Sequence, residues 1–180
     1  MAHAALRQFG LDKVLFIPAF IPPHKKEKRD MTPAPYRYRM VEAAIADQPA
    51  FEISDMEFLR PEISYTVETL QDLKKKYPED ELFLILGSDS LIELPKWRDP
   101  DEISRLAKIL VARRPGSASS NPESFEVQWI EMPECPLSSS EIREKLRRSE
   151  NLGENILPAG VLEYVRKTKL YQEERTWNSG

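Results

Sequence analysis

Short apolar runs that alternate with amphipathic segments constrain the fold of this chain more than any other feature. The run at 82–87 is continuously apolar and ends in glycine, which is typical of a central parallel strand that leads into a ligand loop. Similar runs lie at 13–18 and 109–112. Between them, apolar residues recur at helical spacing over 36–47 and 66–76. This alternation predicts βαβ units and therefore an α/β fold around a parallel sheet.

The remaining elements complete a chain of single-domain size. A length of 180 residues fits one domain, and we assign 1–171 to it, with 172–180 as a flexible polar tail. The helix at 66–76 would be capped by Ser64 or Thr66. Further strands are predicted at 51–54 and 127–130, and further helices at 2–9, 139–148 and 157–167, with another helix ending at 103–107.

Composition excludes several classes of protein. Hydrophobic residues make up 41% of the chain and charged residues 31%, and no apolar run reaches the roughly 20 residues of a membrane span. The net charge of −4 argues against a protein that binds nucleic acid through a broad basic field, whereas small anionic ligands remain compatible. The single cysteine, Cys135, excludes an internal disulfide framework and a cysteine-cluster metal site, and indicates a cytoplasmic protein.

Polar residues follow the predicted strands at one edge of the sheet. Ligands of open parallel sheets bind outside the carboxyl ends of the strands. We therefore expect one crevice to collect the groups that occupy such positions. These groups are Pro18, then Gly87, Ser88 and Asp89, then Arg113 and Arg114, and finally the segment 138–143.

The segment 138–143, Ser-Ser-Ser-Glu-Ile-Arg, begins a predicted amphipathic helix and is suited to binding an anion. Backbone N–H groups, the hydroxyls of Ser139 and Ser140 and the guanidinium of Arg143 would converge on a phosphate. The same pattern fits a capping box between Ser138 and Glu141, which is a purely structural role. The sequence alone leaves both interpretations open.

Several other residues also have a binding interpretation beside a structural one. Gly87 permits close approach of the backbone to a ligand. Asp89 can accept hydrogen bonds from ribose hydroxyls or cap a helix. Trp97 lies in a predicted loop, where its indole offers a flat face to an electron-poor ring or packs internally. The proline-rich loop at 18–35 carries Lys25, which contacts a phosphate or is solvated.

An ordered series of short motifs gives the chain a specific resemblance. The motifs are Val14-Leu15-Phe16-Ile17-Pro18, Pro22-Pro23-His24-Lys25, Ser64-Tyr65-Thr66 with Thr69-Leu70, Leu84-Ile85-Leu86-Gly87-Ser88-Asp89, Leu94-Pro95-Lys96-Trp97, Val111-Ala112-Arg113-Arg114-Pro115-Gly116, the serine segment, and Leu157-Pro158 through Leu170-Tyr171. In this order and spacing, the series resembles bacterial nicotinate-nucleotide adenylyltransferases of the nucleotidyltransferase superfamily. The resemblance extends over residues 1–171.

This resemblance implies a fold and a reaction. The fold is a doubly wound, Rossmann-like parallel sheet of the nucleotidyltransferase type whose first strand is absent from this chain. The reaction is adenylyl transfer from ATP to nicotinate mononucleotide, which gives nicotinate adenine dinucleotide and pyrophosphate in NAD biosynthesis, with Mg²⁺ accompanying ATP. No nucleic acid or membrane partner is implied, and homo-oligomerisation stays open.

The resemblance also implies site residues. Backbone amides near Thr66 and Trp97 would recognise the nicotinate carboxylate, and no residue is assigned as a metal ligand. The residues assigned to ATP and its phosphates are Gly87, Asp89, Ser139, Ser140 and Arg143. Those assigned to the mononucleotide are Lys25, Thr66, Trp97 and Arg114.

At its start the chain departs from the family pattern. The family opens with a strand, a Gly-Gly-Thr-Phe-x-Pro segment and a His-x-Gly-His motif, and none of these occurs in the sequence. Residues 1–6 resemble the middle of the helix that follows that motif, so His3 is expected to be a surface or packing residue. No catalytic residue is assigned, and the 180 residues alone, whether a truncated record or a real fragment, are expected to be nearly inactive. The alternatives are a noncatalytic nucleotide-binding remnant and a related adenylyltransferase that uses nicotinamide mononucleotide.

Overall fold

Helices and strands alternate along the chain. The computed structural model describes residues 1–23, 31–112, 125–132, 138–150, 152 and 156–171. In chain order the elements are α1 (Ala2–Gln8), β1 (Val14–Phe16), α2 (Ala34–Ile45), β2 (Phe51–Ile53), α3 (Thr66–Lys76), β3 (Phe83–Gly87), α4 (Ser88–Glu93), a short 3₁₀ helix (Leu94–Lys96), α5 (Pro100–Leu106), β4 (Lys108–Ala112), β5 (Val127–Ile130), α6 (Ser139–Arg147) and α7 (Ala159–Thr168).

Strands β3, β4 and β5 form a parallel sheet in that order. Its register pairs Leu86 with Val111, and Val111 in turn with Trp129. The middle strand β4 is buried from Ile109 to Ala112. Parallel sheets connected by crossover helices are covered on both faces, so a continuous apolar run is what such a strand requires. The parallel βαβ arrangement predicted from the sequence is therefore present.

Strand β3 occupies a different place in this sheet from the one expected. The apolar run at 82–87 predicts a central strand, but in the part of the chain that the structure describes β3 pairs with β4 alone. Phe83, Leu84 and Ile85 are only half-buried. An apolar run indicates that the faces of a strand are covered, and it does not specify which neighbours pair with its edges.

A second, two-stranded sheet joins β1 to β2. The N–H of Ser54 donates to the carbonyl of Phe16 at 2.9 Å. The Phe16 ring meets that of Phe51 edge to face, with centroids 5.3 Å apart. An isolated parallel bridge between Ile21 and Ile63 lies beyond the ends of these strands.

Two compact units make up the structure, and each is built from two stretches of sequence. The first unit comprises Met1–Val14 and Ser64–Cys135. The second unit comprises Leu15–Ile63 and Pro136–Gly180. The assignment of 1–171 to a single domain stays a prediction, and the tail at 172–180 lies outside the described residues.

Each unit has its own apolar core. In the first unit Ala5 is fully buried and packs with Leu110, Ala112 and Ile130, so α1 covers one face of the sheet. In the second unit α2 and α7 pack together around a cluster of buried side chains on and after α7. The buried residues of that cluster are Val161, Val165 and Leu170.

Among the described α-helices, α4 is the one that the sequence patterns do not predict. Its six residues are too few to display a helical period, so the sequence pattern predicts only the strand that ends at Gly87. Leu91 at 1% exposure and Leu94 at 0% anchor α4 and the 3₁₀ helix that follows it. Within the described ranges, no helix is long and apolar enough to cross a membrane.

Candidate functional site

The turn from β3 into α4 places Gly87 and Asp89 at the carboxyl end of a parallel strand. Gly87 is the N-cap of α4 with φ −82° and ψ 158°, a conformation open to any residue, so the backbone angles here do not require glycine. Asp89 lies in the first turn of α4 and is exposed. The alternative that Asp89 caps a helix is wrong, since Gly87 holds that position.

The amino-terminal end of α3 has no side-chain cap. Tyr65 is the N-cap residue, and a tyrosine side chain cannot fold back onto the first N–H groups. The expectation that Ser64 or Thr66 caps this helix is therefore wrong. The N–H groups of Thr66 and Val67 have no acceptor among the described residues, whereas those of the next two residues donate to the Tyr65 carbonyl. Such a helix start is suited to an anionic group.

Trp97 follows the 3₁₀ helix that extends α4. Its N–H donates to the carbonyl of Leu94 at 3.0 Å, which closes that turn. The indole is half-buried and makes no ring or cation contact with the residues that the structure describes. One continuous stretch therefore carries Gly87, Asp89 and Trp97.

Arg98 links this stretch to α3, a connection that sequence reasoning missed. Its Nη1 donates to Oε1 of Glu68 at 2.7 Å, and its guanidinium lies 4.7 Å from the centre of the Tyr65 ring. Glu68 is in the first turn of α3, two residues after Thr66. The structure thus brings together the two positions expected to bind the pyridine mononucleotide, Thr66 and Trp97, within the first unit. The only sequence signal was an arginine next to the candidate tryptophan.

The serine segment lies in the second unit, and two of its residues, Ser138 and Glu141, have a structural role. Ser138 and Glu141 form the capping box: the N–H of Glu141 donates to Ser138 Oγ at 3.2 Å, and the N–H of Ser138 donates to Glu141 Oε2 at 2.6 Å. Hydrogen bonding of the Ser138 side chain and of the Ser138 N–H to the Glu141 carboxylate lowers the pKa of that carboxyl. The structural interpretation of Ser138 therefore applies.

The capping box leaves the next two residues available. The N–H groups of Ser139 and Ser140 have no acceptor among the described residues, and both side chains are exposed. Nη2 of Arg143 donates to Ser140 Oγ at 3.2 Å, so the guanidinium and the hydroxyl lie next to each other. The residues predicted to bind phosphate are thus grouped at one helix start. The capping box between Ser138 and Glu141 does not occupy them.

Two predicted residues, Lys25 and Arg114, lie outside the described residues. The other predicted residues fall into two groups, with Thr66, Gly87, Asp89 and Trp97 in the first unit and Ser139, Ser140 and Arg143 in the second. The single crevice that would collect them stays a prediction. Among the described residues, no group of three or more His, Cys, Asp and Glu side chains is placed to hold a metal ion. His3 is exposed on α1.

The chain is similar to proteins of one known class. Residues 1–145 match the cytidylyltransferase-like family, which makes the chain a nucleotidyltransferase. A Bacillus subtilis (strain 168) relative, a nicotinate-nucleotide adenylyltransferase, is 37% identical over 172 residues, which are 96% of this chain and 89% of the relative. The chain therefore belongs to the nicotinate-nucleotide adenylyltransferase family, and the resemblance inferred from its motifs is confirmed.

Solved structures agree on the fold. The nicotinic acid mononucleotide adenylyltransferase of Plasmodium falciparum, in complex with NaAD, matches with a TM-score of 0.72 at 18% identity, covering 89% of this chain and 83% of that one. The same enzyme in complex with APC matches with a TM-score of 0.69 at 17% identity and the same coverage. The predicted doubly wound fold of the nucleotidyltransferase type is confirmed.

Proposed function

We propose that this protein takes part in NAD biosynthesis by adenylyl transfer from ATP to nicotinate mononucleotide. Its family membership sets the reaction class. The observation that carries the pyridine substrate is the juxtaposition of Trp97 with the uncapped start of α3, through Arg98. A flat aromatic face and unused N–H donors beside it suit an aromatic ring that bears a carboxylate.

On the mononucleotide side, the available amides can be named. The N–H of Trp97 is already bonded to Leu94, whereas the N–H of Arg98 has no acceptor among the described residues. Arg98 N–H and Thr66 N–H are therefore the donors for the nicotinate carboxylate, and the Trp97 indole stacks on the pyridine ring. Lys25 or Arg114 holds the phosphate of the mononucleotide, as the family resemblance implies.

On the ATP side, α6 supplies an anion site. The N–H groups and hydroxyls of Ser139 and Ser140, with the guanidinium of Arg143, bind the triphosphate. Gly87 lets the backbone approach the nucleotide, and Asp89 accepts hydrogen bonds from ribose hydroxyls. Mg²⁺ would accompany ATP and would neutralise charge on its phosphates.

The reaction places few demands on covalent chemistry by the protein. A phosphate oxygen of nicotinate mononucleotide attacks the α-phosphorus of ATP, the bond from that phosphorus to the bridging oxygen breaks, and pyrophosphate leaves with its electron pair. Protein groups hold the two nucleotides in line and neutralise charge. The residues named in each unit supply positioning of this kind.

Calorimetric titration of the 180-residue protein with ATP, nicotinate mononucleotide and nicotinamide mononucleotide tests the proposal. We expect binding of ATP and a clear preference for the nicotinate form. Trp97→Ala should weaken nicotinate mononucleotide about tenfold with little effect on ATP, because stacking on one aromatic face is lost. Trp97→Phe, which keeps a flat ring, is the matched control. If Trp97→Ala weakened ATP instead, the stacking assignment would be wrong.

A noncatalytic nucleotide-binding protein is the second candidate. Pyrophosphate release separates the candidates. Binding of both nucleotides without release above the uncatalysed rate identifies the noncatalytic protein, and release that depends on nicotinate mononucleotide identifies the enzyme.

A further inference from the structure

The segment from Trp97 to Asp99 has few backbone contacts of its own. Trp97 is extended, with ψ 163°, and Asp99 is left-handed, with φ 49° and ψ 58°. Pro100 then begins α5 and has no N–H to donate. The Trp97 N–H bond to Leu94 fixes the start of the segment, and the Asp99 carbonyl accepts the first bonds of α5 at its end. Arg98, in the middle, has no backbone N–H bond among the described residues.

The Arg98 side chain supplies what the backbone lacks. Its guanidinium stacks on the Tyr65 ring at 4.7 Å and bonds to Glu68 at 2.7 Å. Tyr65 is the N-cap of α3 and Glu68 lies in its first turn, so both contacts fall on the helix start whose Thr66 N–H is available. Arg98 is 52% exposed and Glu68 34%, so the pair is partly screened but held by two different kinds of contact.

We propose that Arg98 is a positioning residue for the pyridine site: its side chain fixes the 97–99 segment to the start of α3 and so sets the spacing of the Arg98 and Thr66 N–H groups. This inference rests on the proposed function. Because the guanidinium already faces two carboxylates, Glu68 at 2.7 Å and Asp99 at 3.9 Å, Arg98 acts through position rather than through its own charge. Two N–H donors at a fixed spacing favour a carboxylate, which accepts from both, over the neutral amide of nicotinamide mononucleotide.

A matched pair of variants tests the role in the unliganded protein. Arg98→Met keeps the length of the side chain and loses the guanidinium. Arg105→Met is the control, since Arg105 on α5 forms an exposed pair with Glu102 at 3.0 Å and contacts neither α3 nor Trp97 in any described interaction. Hydrogen exchange of the Trp97 N–H should be about tenfold faster in Arg98→Met and unchanged in Arg105→Met, because the segment opens locally. Equal exchange in the two variants overturns the positioning role.

Calorimetry on the same proteins tests specificity. Arg98→Met should weaken the binding of nicotinate mononucleotide about tenfold and reduce the preference for it over nicotinamide mononucleotide. The affinity for ATP should stay within about twofold, because misplaced N–H donors affect mainly the ligand that they bind. Arg98→Lys keeps a charge for Glu68 but not the planar stack, and should restore part of the affinity. If the parent protein binds nicotinate mononucleotide and Arg98→Met binds it equally well, the inference alone fails. If the parent protein does not bind it, the proposed function fails.

Discussion

Single side chains decide which backbone N–H groups remain available at the starts of two helices, α3 and α6. At α6 the capping box uses the N–H groups of Ser138 and Glu141 and leaves those of the two residues between them. At α3 a tyrosine occupies the N-cap, and the first N–H groups stay available. Both starts therefore keep a pair of donors, which is the arrangement that anion recognition requires.

Arg143→Lys should weaken ATP about tenfold. Lysine keeps the charge but lacks the planar fork that can hold two phosphate oxygens, and it would lose the present alignment with Ser140. The measurement is calorimetric titration with ATP. Arg147→Lys, on the same helix and paired with Glu144 at 2.8 Å, is the control and should bind as the parent does. Unchanged affinity in Arg143→Lys removes this residue from the site.

Glu141→Gln should change how stability depends on pH. Because hydrogen bonds with Ser138 lower the pKa of Glu141 in the folded protein, its ionised form stabilises the fold above the ordinary glutamate pKa. That contribution is lost as the pH falls below about 4, through the lowered pKa. Glutamine can still accept the Ser138 N–H but carries no charge.

Thermal melts at several pH values therefore give the clearest result. The parent protein should melt higher than Glu141→Gln at neutral pH, and the difference should shrink at acidic pH. Glu163→Gln, on the exposed face of α7, is the control and should show no such trend. A difference that stays constant with pH would contradict a role for the charge.

At the scale of elements, the sequence predicted which segments are helices or strands better than it predicted which segments lie next to each other. Helix α3 and strand β5 have the predicted bounds, because their apolar periods are complete. The place of β3 in the sheet was not predictable, since pairing depends on segments distant in sequence. The Arg98 contact with Glu68 spans thirty positions and leaves no local pattern. Conversely, the capping box at the start of α6 could be predicted from the sequence, because its pattern lies within four residues.

One arginine of helix α2, Arg37, binds two backbone carbonyls that precede the helix in sequence. Arg37 Nε donates to the Thr32 carbonyl at 3.0 Å, and its Nη2 donates to the Phe20 carbonyl at 2.9 Å. Burial lowers the pKa of Arg37, and nearby Tyr171 and Glu57 oppose that effect. One guanidinium thus joins two carbonyls twelve residues apart, next to a carboxylate that is only 6% exposed.

Arg37→Met should lower the free energy of unfolding by about 1–3 kcal/mol, because two charge-assisted hydrogen bonds are lost and the buried Glu57 loses a positive neighbour. Urea unfolding measures the change. Arg39→Met, which removes an exposed pair with Glu42 on the same helix, is the control and should have no resolvable effect. Equal stability of the two variants would show that the Phe20 and Thr32 contacts contribute nothing.

At the scale of the whole molecule, neither unit is a contiguous piece of chain. The first unit includes α1, which residues 15–63 separate from the rest of that unit, because Ala5 at 0% exposure completes its core. No composition shift or linker marks the crossing points, so this organisation could not be inferred from the sequence. Only three-dimensional contacts reveal it.

Ala5→Leu should destabilise the first unit by about 1–3 kcal/mol, because the larger side chain has no room between α1 and the sheet. Differential scanning calorimetry measures the loss. Ala2→Leu, at the other end of α1 and partly exposed, is the control. A melt equal to that of the parent would mean that α1 can shift freely on the sheet, against the packing described.

The uncapped start of α3 has a consequence for anyone who tries to make this protein more heat-resistant. Replacing Tyr65 with serine or aspartate would supply the missing cap and should stabilise α3 by about 1 kcal/mol. The new oxygen would accept the N–H of Val67, next to the Thr66 N–H that we assign to substrate, and the ring that supports Arg98 would be gone. Selection for thermostability alone would therefore favour a change that weakens recognition of the pyridine carboxylate, so screens should score melting temperature and ligand affinity together.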